Sequence, residues 1–487
     1  MLSLFAFILS ACTPARQSLP LQLTLGASGE DSDVESGTGA DLPPARPEYG
    51  PGELVDYTAQ SGDTLPALAA HFNTSIREIR ENNPAIPQDV TTLPTGFPMK
   101  IPIYYQALWG SSFKIVPDGL FVYGPAERGF DPVAFVATQP GWLKNYKVYA
   151  GGEDRRGGQI IEYLSINFSI SPRLLLALLE YQLGALTQPE APQDLTSGYL
   201  LGYKEHMHQG LYQQLVWAAN TLNNAYYGWR RGTLREFEHP DGSLERPDPW
   251  QNSASVALQY YFSRFMTKND YLKATHQNGF QLSYGHLFGP LWESVEPVLP
   301  GSLNQPELKL PFETGDAWTY TGGPHTGWGE GEPFAAVDFA PPAVVTGCFE
   351  TKDYATAVAA GNIVRKWPAI AVLDLDNDMD ERTGWVIFYL HLASDSIPPV
   401  GTHLETGQAI GRPSCEGGQA TGTHVHIARK YNGEWILADS PLALNLEGWV
   451  AHNGSEAYEG TLVRFSRTIR ACDCSDQASQ IQSGSLK

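Results

Sequence analysis

The stretch Thr423-His424-Val425-His426 places two histidines two positions apart in the C-terminal part of the chain. In a β-strand, side chains at positions i and i+2 point to the same face of the sheet. His424 and His426 would therefore face one site together, with Val425 turned to the opposite face. The spacing predicts a strand that presents two imidazole groups on one of its faces.

Three more polar residues precede this pair. His325 and Asp338 come first, and His391 follows within a Tyr-Leu-His-Leu sequence. A catalytic zinc typically takes three protein ligands and leaves one position for water. His325, Asp338 and His426 can fill those three places. His391 and His424 are then free to handle protons.

The order and flanks of these residues resemble the lysostaphin-type zinc endopeptidases, which cut peptide cross-links in bacterial cell walls. The resemblance implies one zinc ion held by His325, Asp338 and His426, with His391 and His424 assisting metal-assisted peptide hydrolysis. It also implies a mainly antiparallel β peptidase domain, expected at residues 308–470. The matching segments are residues 336–342, 361–364, 389–392, 405–411 and 422–427.

The chain departs from that family in the spacing between the first histidine and the aspartate. The family usually has three residues there, whereas residues 326–337, twelve in all and rich in glycine, separate His325 from Asp338 here. We interpret them as a loop inserted between two strand ends, because a longer loop costs little extra closure entropy. An alternative function is a non-catalytic protein of the same fold that binds peptidoglycan or activates another wall hydrolase.

The N-terminal part of the chain contains a second motif that resembles a known family. Ser61, Gly62, Asp63 and Thr64 precede a helical pattern of apolar residues, and Ser75 with Glu78 predicts a capped second helix. With strands on either side, this βααβ order resembles the LysM module at residues 54–103, which binds N-acetylglucosamine glycans. The resemblance implies a glycan groove lined by residues 61–64 and by the loop before the last strand. The alternative is a βααβ domain without affinity for glycans.

The first residues resemble a bacterial lipoprotein signal. An apolar run that ends in Leu-Ser-Ala-Cys occupies residues 1–12, and it is too short to span a bilayer. The resemblance implies lipidation of Cys12 and contact with a membrane through that anchor alone. Residues 13–53 are polar and acidic, which predicts a disordered linker. We therefore expect an extracytoplasmic protein, either anchored or secreted, that associates with the cell wall.

The cysteines suit an oxidising compartment. If Cys12 is lipidated, four cysteines remain, an even number. Cys348 and Cys415 both flank the predicted active site, so we expect them to form a disulfide. Cys472 and Cys474 are separated by one residue, and a disulfide between such close neighbours is strained.

The middle of the chain has a helical pattern. Residues 104–159 are interpreted as a connector and residues 160–300 as a mainly α-helical domain, with helices expected at 173–183, 210–227 and 253–265. The first helix resembles lysozyme-like transglycosylases, but Gln182 stands where their catalytic glutamate would be. Glu180 lies two residues earlier, on another face of the helix. A spacer or a wall-binding surface is the favoured interpretation.

Charge limits the partners of the chain. The net charge of −21 argues against nucleic-acid binding, which needs a basic face. The stretch Asp374–Asp380 alternates carboxylates, which could hold calcium. We favour an acidic hairpin tip over a calcium site because the distal glutamate of an EF-hand loop is missing. Residues 471–487 are expected to form a tail that is disordered from Ser475 onward. The resemblances to lysostaphin-type endopeptidases and to LysM imply peptidoglycan, both its peptides and its glycan, as the partner.

Overall fold

The computed structural model describes residues 46–104, 108–293, 296–473 and 476–484. The predicted signal segment, Cys12, most of the acidic linker and Cys474 lie outside the described residues. Among the residues described, no helix combines the length and the apolar character needed to cross a membrane.

The N-terminal described region is a two-stranded sheet with two helices. Ser75 and Glu78 form the predicted capping box at the start of the second helix. The apolar core of this region contains Leu68, Phe72 and Ile101, none of which is exposed. The elements, in chain order, are β1 (Glu53–Thr58), α1 (Leu65–His71), α2 (Ile76–Asn82) and β2 (Pro98–Ile103), with β1 and β2 antiparallel.

The central region is mainly helical. The elements are α3 (Pro132–Thr138), β3 (Lys147–Ala150), β4 (Glu153–Arg156), α4 (Gly157–Phe168), α5 (Pro172–Leu183), α6 (Leu211–Arg231), β5 (Phe237–Glu238), β6 (Leu244–Glu245), α7 (Ser253–Ser263), α8 (Lys268–Ala274) and α9 (Phe280–Phe288). Ser171 caps the buried helix α5, and Pro172 occupies its first turn. Helix α6 runs four residues beyond the expected end at Tyr227, and Gly232 in the left-handed conformation ends it.

The segment expected to be a connector contributes to the core of this helical region. Ile115, Phe121 and Trp142 are buried in the same apolar cluster as the helices. The Asp118 carboxylate accepts a hydrogen bond from the Ala254 backbone at the start of α7. These residues therefore pack as part of the helical region.

The C-terminal region is a nine-stranded antiparallel sheet with smaller sheets beside it, counted over the described residues. The strands are β7 (Ala317–Thr326), β8 (Phe334–Ala340), β9 (Ala355–Thr356), β10 (Gly361–Trp367), β11 (Ile370–Asp374), β12 (Trp385–Leu390), β13 (His403–Leu404), β14 (Ala409–Gly411), β15 (Val425–Tyr431), β16 (Glu434–Trp435), β17 (Asn445–Leu446), β18 (Trp449–Asn453), β19 (Gly460–Arg464), β20 (Arg467–Arg470) and β21 (Gln480–Gln482). The large sheet has the order β13-β10-β11-β12-β15-β8-β7-β21, and β16 pairs with β15.

The two faces of the large sheet pack against different cores. Val337 and Ile427 lie in a core formed within the β-region, whereas Ala336 and Ala428 lie in the core shared with the helices. Because side chains alternate along a strand, residues 338 and 426 point to the helical side of the sheet. The helical region thus packs on the sheet face that carries the predicted site.

The expectation of a disordered tail is wrong for part of the segment. Gln480–Gln482 forms β21, which pairs with β7 at the edge of the large sheet. Ile481 is 1% exposed and lies opposite Trp318 in the same core. Ile481 is the apolar side chain that this strand buries, and the strand is otherwise held by backbone pairing, so the sequence carries too weak an apolar signal to predict it.

Candidate metal centre

The three predicted metal ligands lie on adjacent strands of the large sheet. His325 is on β7, Asp338 on β8 and His426 on β15. Asp338 and His426 are direct partners across β8 and β15. All three side chains are buried. The sheet therefore brings together residues that are far apart in the sequence.

The two predicted catalytic histidines complete the cluster. His391 follows the last residue of β12 and adopts a left-handed backbone conformation, with φ of 62°. His424 precedes β15 and forms a β-bridge with Ser414. The ring centroids of His391 and His424 are 4.5 Å apart. A non-glycine residue in this conformation is uncommon, and such residues concentrate at functional sites.

Three ligand atoms form a compact triangle. The distance from His325 Nε2 to His426 Nδ1 is 3.0 Å, from His325 Nε2 to Asp338 Oδ1 3.3 Å, and from His426 Nδ1 to Asp338 Oδ1 3.4 Å. Tetrahedral zinc with ligands at about 2.0–2.2 Å places its donor atoms about 3.4 Å apart. The triangle therefore has the dimensions of one face of a tetrahedral zinc site.

The hydrogen bonding of these side chains also fits a metal. The Gly323 carbonyl accepts a bond of 2.8 Å from His325 Nδ1, which leaves Nε2 with its lone pair. Asp338 Oδ1 is buried and lies at ion-pair distance from His325 and His426, but it accepts no well-aligned hydrogen bond from the described residues. A buried carboxylate oxygen without a donor is costly unless a cation compensates it. We conclude that the donor set fits a zinc ion.

The electrostatics of the cluster favour an ionised carboxylate. Burial alone would raise the pKa of Asp338, but the nearby rings of His325 and His424 hold it well below its usual range. Burial would likewise lower the pKa of His325, but the Asp338 carboxylate outweighs it and raises that pKa. Asp338 is thus available as an anionic ligand.

Backbone carbonyls orient both catalytic candidates. His391 Nδ1 donates to the Glu416 carbonyl at 2.7 Å, and His424 Nδ1 donates to the Gly422 carbonyl at 2.7 Å. Each ring therefore has its Nε2 free to accept a proton. Burial, followed by the neighbouring histidines His424 and His426, lowers the pKa of His391 to about 4. His391 is neutral near pH 7 and can act as a base.

Two stretches of the chain match models of known protein families. Residues 57–102 match the LysM domain, and residues 114–300 match the family described as LasA, N-terminal domain. Protease LasA from Pseudomonas aeruginosa is 24% identical over 336 residues, which cover 66% of this chain and 74% of that protein. Beta-lytic metalloendopeptidase from Achromobacter lyticus is 30% identical over 192 residues, 37% of this chain and 47% of that protein.

The chain is similar to these two peptidases and contains a segment that matches the LysM domain. Among solved structures, the M23 metalloprotease pseudoalterin from the deep sea matches 34% of this chain and 96% of its own length. Its TM-score is 0.30 and its identity 23%.

The disulfide expected beside the site is present. Cys348 and Cys415 are bonded across a separation of 67 residues. Thr423 reinforces this connection, because its hydroxyl donates to the Phe349 carbonyl at 2.7 Å and accepts from the Phe349 backbone at 2.8 Å. The segment that leads to His424 is therefore attached to residues 348–349 at two points, Cys415 and Thr423.

Helix α6 holds the loop that lengthens the His325–Asp338 spacing. Asn220 Oδ1 accepts the Glu330 backbone N–H at 2.8 Å, and Asn224 Oδ1 accepts that of Glu332 at 2.7 Å. A Cβ at Gly329 or Gly331 would overlap these amide oxygens. The glycines of the loop thus allow close approach to the helix, a reason that the sequence pattern alone does not show.

Sequence reasoning missed two residues of the cluster. The ring of Tyr458 stacks on His325 with centroids 4.1 Å apart. Burial and the Asp338 charge raise the pKa of Tyr458, so its hydroxyl stays protonated near neutral pH. Gly322 faces Asp338 so closely that a Cβ would lie 2.4 Å from Oδ2. Tyr458 follows His426 by 32 residues in an irregular segment, and no local motif marks it.

The predicted glycan-binding residues share one loop, and their polar atoms bond within the protein. The Asp63 carboxylate accepts from the Tyr57 hydroxyl at 2.6 Å and from the Gln60 backbone. Thr64 caps α1, and the Ser61 hydroxyl bonds to backbone atoms of Leu299. Gly62, with φ of +78°, lies against the Arg230 guanidinium.

The carboxylate considered for a glycosidase has a structural role. Glu180 accepts hydrogen bonds from the Leu186 backbone at 2.7 Å and the Thr187 hydroxyl at 2.5 Å. Gln182 accepts one from the Tyr261 hydroxyl at 2.8 Å. Both side chains thus brace the end of α5 and its neighbours.

The acidic stretch forms the loop between antiparallel strands β11 and β12, in agreement with the hairpin interpretation. Oxygens of Asp374, Asp376 and Asp378 lie within 4.8 Å of one another. Asp374 accepts backbone N–H groups from Asp376 at 3.3 Å and Met379 at 2.9 Å. These carboxylates shape the loop through hydrogen bonds to its own backbone.

Proposed function

We propose that this chain is a zinc endopeptidase that hydrolyses the peptide cross-links of bacterial peptidoglycan. The observation that carries the proposal is the triangle of His325 Nε2, Asp338 Oδ1 and His426 Nδ1, with sides of 3.0–3.4 Å. The similarity to protease LasA and to a beta-lytic metalloendopeptidase supports it.

The residues of the cluster divide into two roles. His325, Asp338 and His426 hold the metal, and a bound zinc supplies a Lewis acid that lowers the pKa of water and polarises a carbonyl group. His391 and His424 handle protons through Nε2. One takes the proton of the attacking water, and the other stabilises the developing oxyanion or protonates the leaving amine.

The surroundings of the cluster restrict motion of these side chains. Adjacent strands set the ligand positions, backbone carbonyls fix the tautomers of three rings, and the Tyr458 ring covers one face of His325. Holding reactive groups in one geometry reduces the entropy lost on reaching the transition state. A preformed site of this kind suits hydrolysis of an unactivated amide bond.

Targeting and location complete the proposal. The LysM module would bind N-acetylglucosamine glycans and bring the peptidase domain to the wall. The Cys348–Cys415 disulfide suits an extracytoplasmic compartment, where such bonds persist. The protein would be either secreted or anchored by lipid at Cys12.

The test is digestion of purified peptidoglycan followed by mass spectrometry of the soluble fragments. The proposal predicts new amino termini on peptide fragments and intact glycan linkages. New reducing sugar ends without new amino termini would contradict it, because they would show cleavage of the glycan strand. Full-length Asp338→Ala is the matched control, since it removes a metal ligand but leaves the LysM groove untouched.

A further inference from the structure

The two loops that line the predicted glycan groove lie side by side. Residues 61–64 form one side, and residues 91–94 form the other. A hydrogen bond of 2.8 Å from the Leu93 backbone to the Asp63 carbonyl ties the two loops together. The segment Leu299–Leu303 of the same chain lies against both loops.

The first loop forms hydrogen bonds with one end of this segment. Ser61 Oγ accepts the Leu299 backbone N–H at 3.0 Å and lies 3.3 Å from its carbonyl oxygen, to which it can donate. One hydroxyl thus engages both backbone polar groups of the same residue. Leu299 is 6% exposed, so its side chain is buried at this contact.

The second loop forms hydrogen bonds with the rest of the segment. Thr92 Oγ1 donates to the Pro300 carbonyl at 2.7 Å and accepts the Leu303 N–H at 3.2 Å. The Thr92 carbonyl accepts the Ser302 N–H at 2.8 Å. Thr91 Oγ1 donates to the Leu303 carbonyl at 2.7 Å. The segment is therefore bound through its backbone, as a peptide ligand would be.

The centre of the segment requires a glycine. A Cβ on Gly301 would lie 2.6 Å from Cα and 2.7 Å from N of Pro94, which are backbone atoms that cannot rotate away. The φ of Gly301 lies outside the left-handed range, so an alanine could adopt the same backbone conformation. The Cβ of that alanine would nevertheless overlap Pro94. Gly301→Ala therefore weakens this contact in particular.

The segment connects the helical region to the β-region, and the LysM module has further contacts with the helical region. It follows the helical region that ends with α9, and it precedes the β-region that begins with β7. The LysM module also contacts the helical region independently, through His71 stacked on Trp229 at 3.6 Å and through the Trp250 indole bonded to the Asp56 carbonyl. The segment can leave the groove while the module stays in place.

We propose that Leu299–Leu303 is an internal occupant of the LysM groove, so that a glycan must displace this linker in order to bind. The proposal rests on the proposed glycan-binding role of the module. Binding of the wall would then expose the linker between the helical and β-regions. The apparent affinity for glycan is reduced by the fraction of molecules whose groove is closed.

The space beside the segment suits a sugar. Leu299, Thr64 and Thr92 line a cavity of about 450 Å³ whose other walls include Tyr227 and Trp435. Ligand pockets usually enclose about 300–1,000 Å³, with apolar and aromatic walls and a few polar groups. Displacing Leu299 would join the groove to this cavity.

The first test compares binding of an N-acetylglucosamine hexamer to the full-length wild type and to Gly301→Ala by calorimetry. We expect the variant to bind at least about tenfold more tightly, because its groove is open in more molecules. Gly285→Ala is the matched control, since a Cβ there meets its nearest atom at 3.7 Å and should change nothing.

The outcomes separate this proposal from the proposed function. Equal affinity in wild type and Gly301→Ala would overturn displacement while leaving glycan binding intact. Absence of binding in both proteins would overturn glycan targeting, and displacement with it. Peptide release from peptidoglycan, measured on the same samples, reports the metal centre independently of either result.

A second measurement needs no variant. The backbone N–H groups of Leu299, Ser302 and Leu303 are bonded to groove residues, so their hydrogen exchange should be slow in the free wild-type protein. Saturating hexamer should accelerate exchange in peptides covering residues 299–303. Unchanged or slower exchange there in the presence of bound hexamer would overturn the proposal.

Discussion

Among the described residues of the β-region, two clusters bring at least three potential metal ligands together, and they differ in how their oxygens and nitrogens are used. His325, Asp338 and His426 lie buried on three adjacent strands, and their ligand atoms contact one another. Asp374 ends β11, Asp376 and Asp378 lie on the loop that follows, and each carboxylate accepts a backbone N–H of this acidic stretch.

The difference shows what makes a cluster a credible metal site. Both clusters place their ligand atoms close together, but only the first combines nitrogen and oxygen donors, burial of all three residues and a carboxylate oxygen that accepts no well-aligned hydrogen bond from the described residues. Three carboxylates repel one another, and burial together with Asp376 raises the pKa of Asp374 to about 6. A loop can relieve that repulsion by protonation or by hydrogen bonds, without a cation.

The largest effect should come from removing a ligand of the first cluster. His325→Ala and Asp338→Ala should each lose bound zinc and reduce peptide release to background, because two ligands hold zinc poorly. Asp376→Ala, in the second cluster, is the control and should keep both. Metal analysis with a digestion assay measures the difference. Equal zinc loss in Asp376→Ala and Asp338→Ala would remove the distinction between the clusters.

The next effect separates binding from chemistry within the first cluster. His391→Ala should retain zinc but lose about 10²–10⁴-fold in hydrolysis, the usual contribution of a general acid or base. Metal content and peptide release, measured on one preparation, check this. Loss of zinc in this variant would show that His391 is a ligand and that the assignment of roles is wrong.

The Cys348–Cys415 disulfide supports the first cluster and not the second. Replacing Cys348 and Cys415 with serine removes a bridge across 67 residues, which should destabilise the protein by about 4 kcal/mol in the chain-entropy account. Denaturant unfolding gives the change in free energy. A loss below about 1 kcal/mol would mean that the sheet alone fixes this region.

Repulsion among the carboxylates of the second cluster should make the free energy of unfolding depend on pH. Since the Asp374 pKa is raised to about 6 from 3.8, the folded protein binds more protons than the unfolded chain between about pH 4 and 6. The stabilisation that the protonated Asp374 carboxyl group gives to the wild type is therefore lost as pH rises through 6. The stability of Asp374→Asn relative to wild type should rise over this range and then level off. Urea unfolding at several pH values checks it, and a flat difference would contradict it.

The smallest effect concerns calcium. Because the carboxylates of the second cluster already bond to their own loop, millimolar calcium should shift the melting temperature by less than about 1 °C. A ligand that binds only the folded state raises the melting temperature in proportion to its occupancy. A shift of several degrees that disappears in Asp376→Asn would make this loop a calcium site after all.

Motif order and local chemistry were sufficient to predict several features of the molecule. The two-residue spacing of His424 and His426 predicted a shared site, and both rings lie within ion-pair distance of Asp338. The capping box of Ser75 and Glu78 depends on neighbouring residues only, so it could be read directly. Signals of this kind act over a few residues or come from a family resemblance.

Contacts between distant segments could not be predicted. Tyr458 reaches His325 through an irregular segment, and the glycines at 329 and 331 fit against Asn220 and Asn224 of a helix about a hundred positions earlier. Occupation of the LysM groove by residues 299–303 depends on backbone groups, which every sequence provides. Such features follow from tertiary packing and leave no periodic pattern.

The proposed function requires the histidine–aspartate cluster to be a hydrolytic zinc centre. We would measure zinc content together with peptidoglycan digestion on the full-length protein, before and after chelation and again after zinc is restored. We expect one zinc per chain, peptide cleavage that the chelator abolishes, and recovery with added zinc. Peptide cleavage that persists in the zinc-free protein, or a protein that binds no zinc, would contradict it.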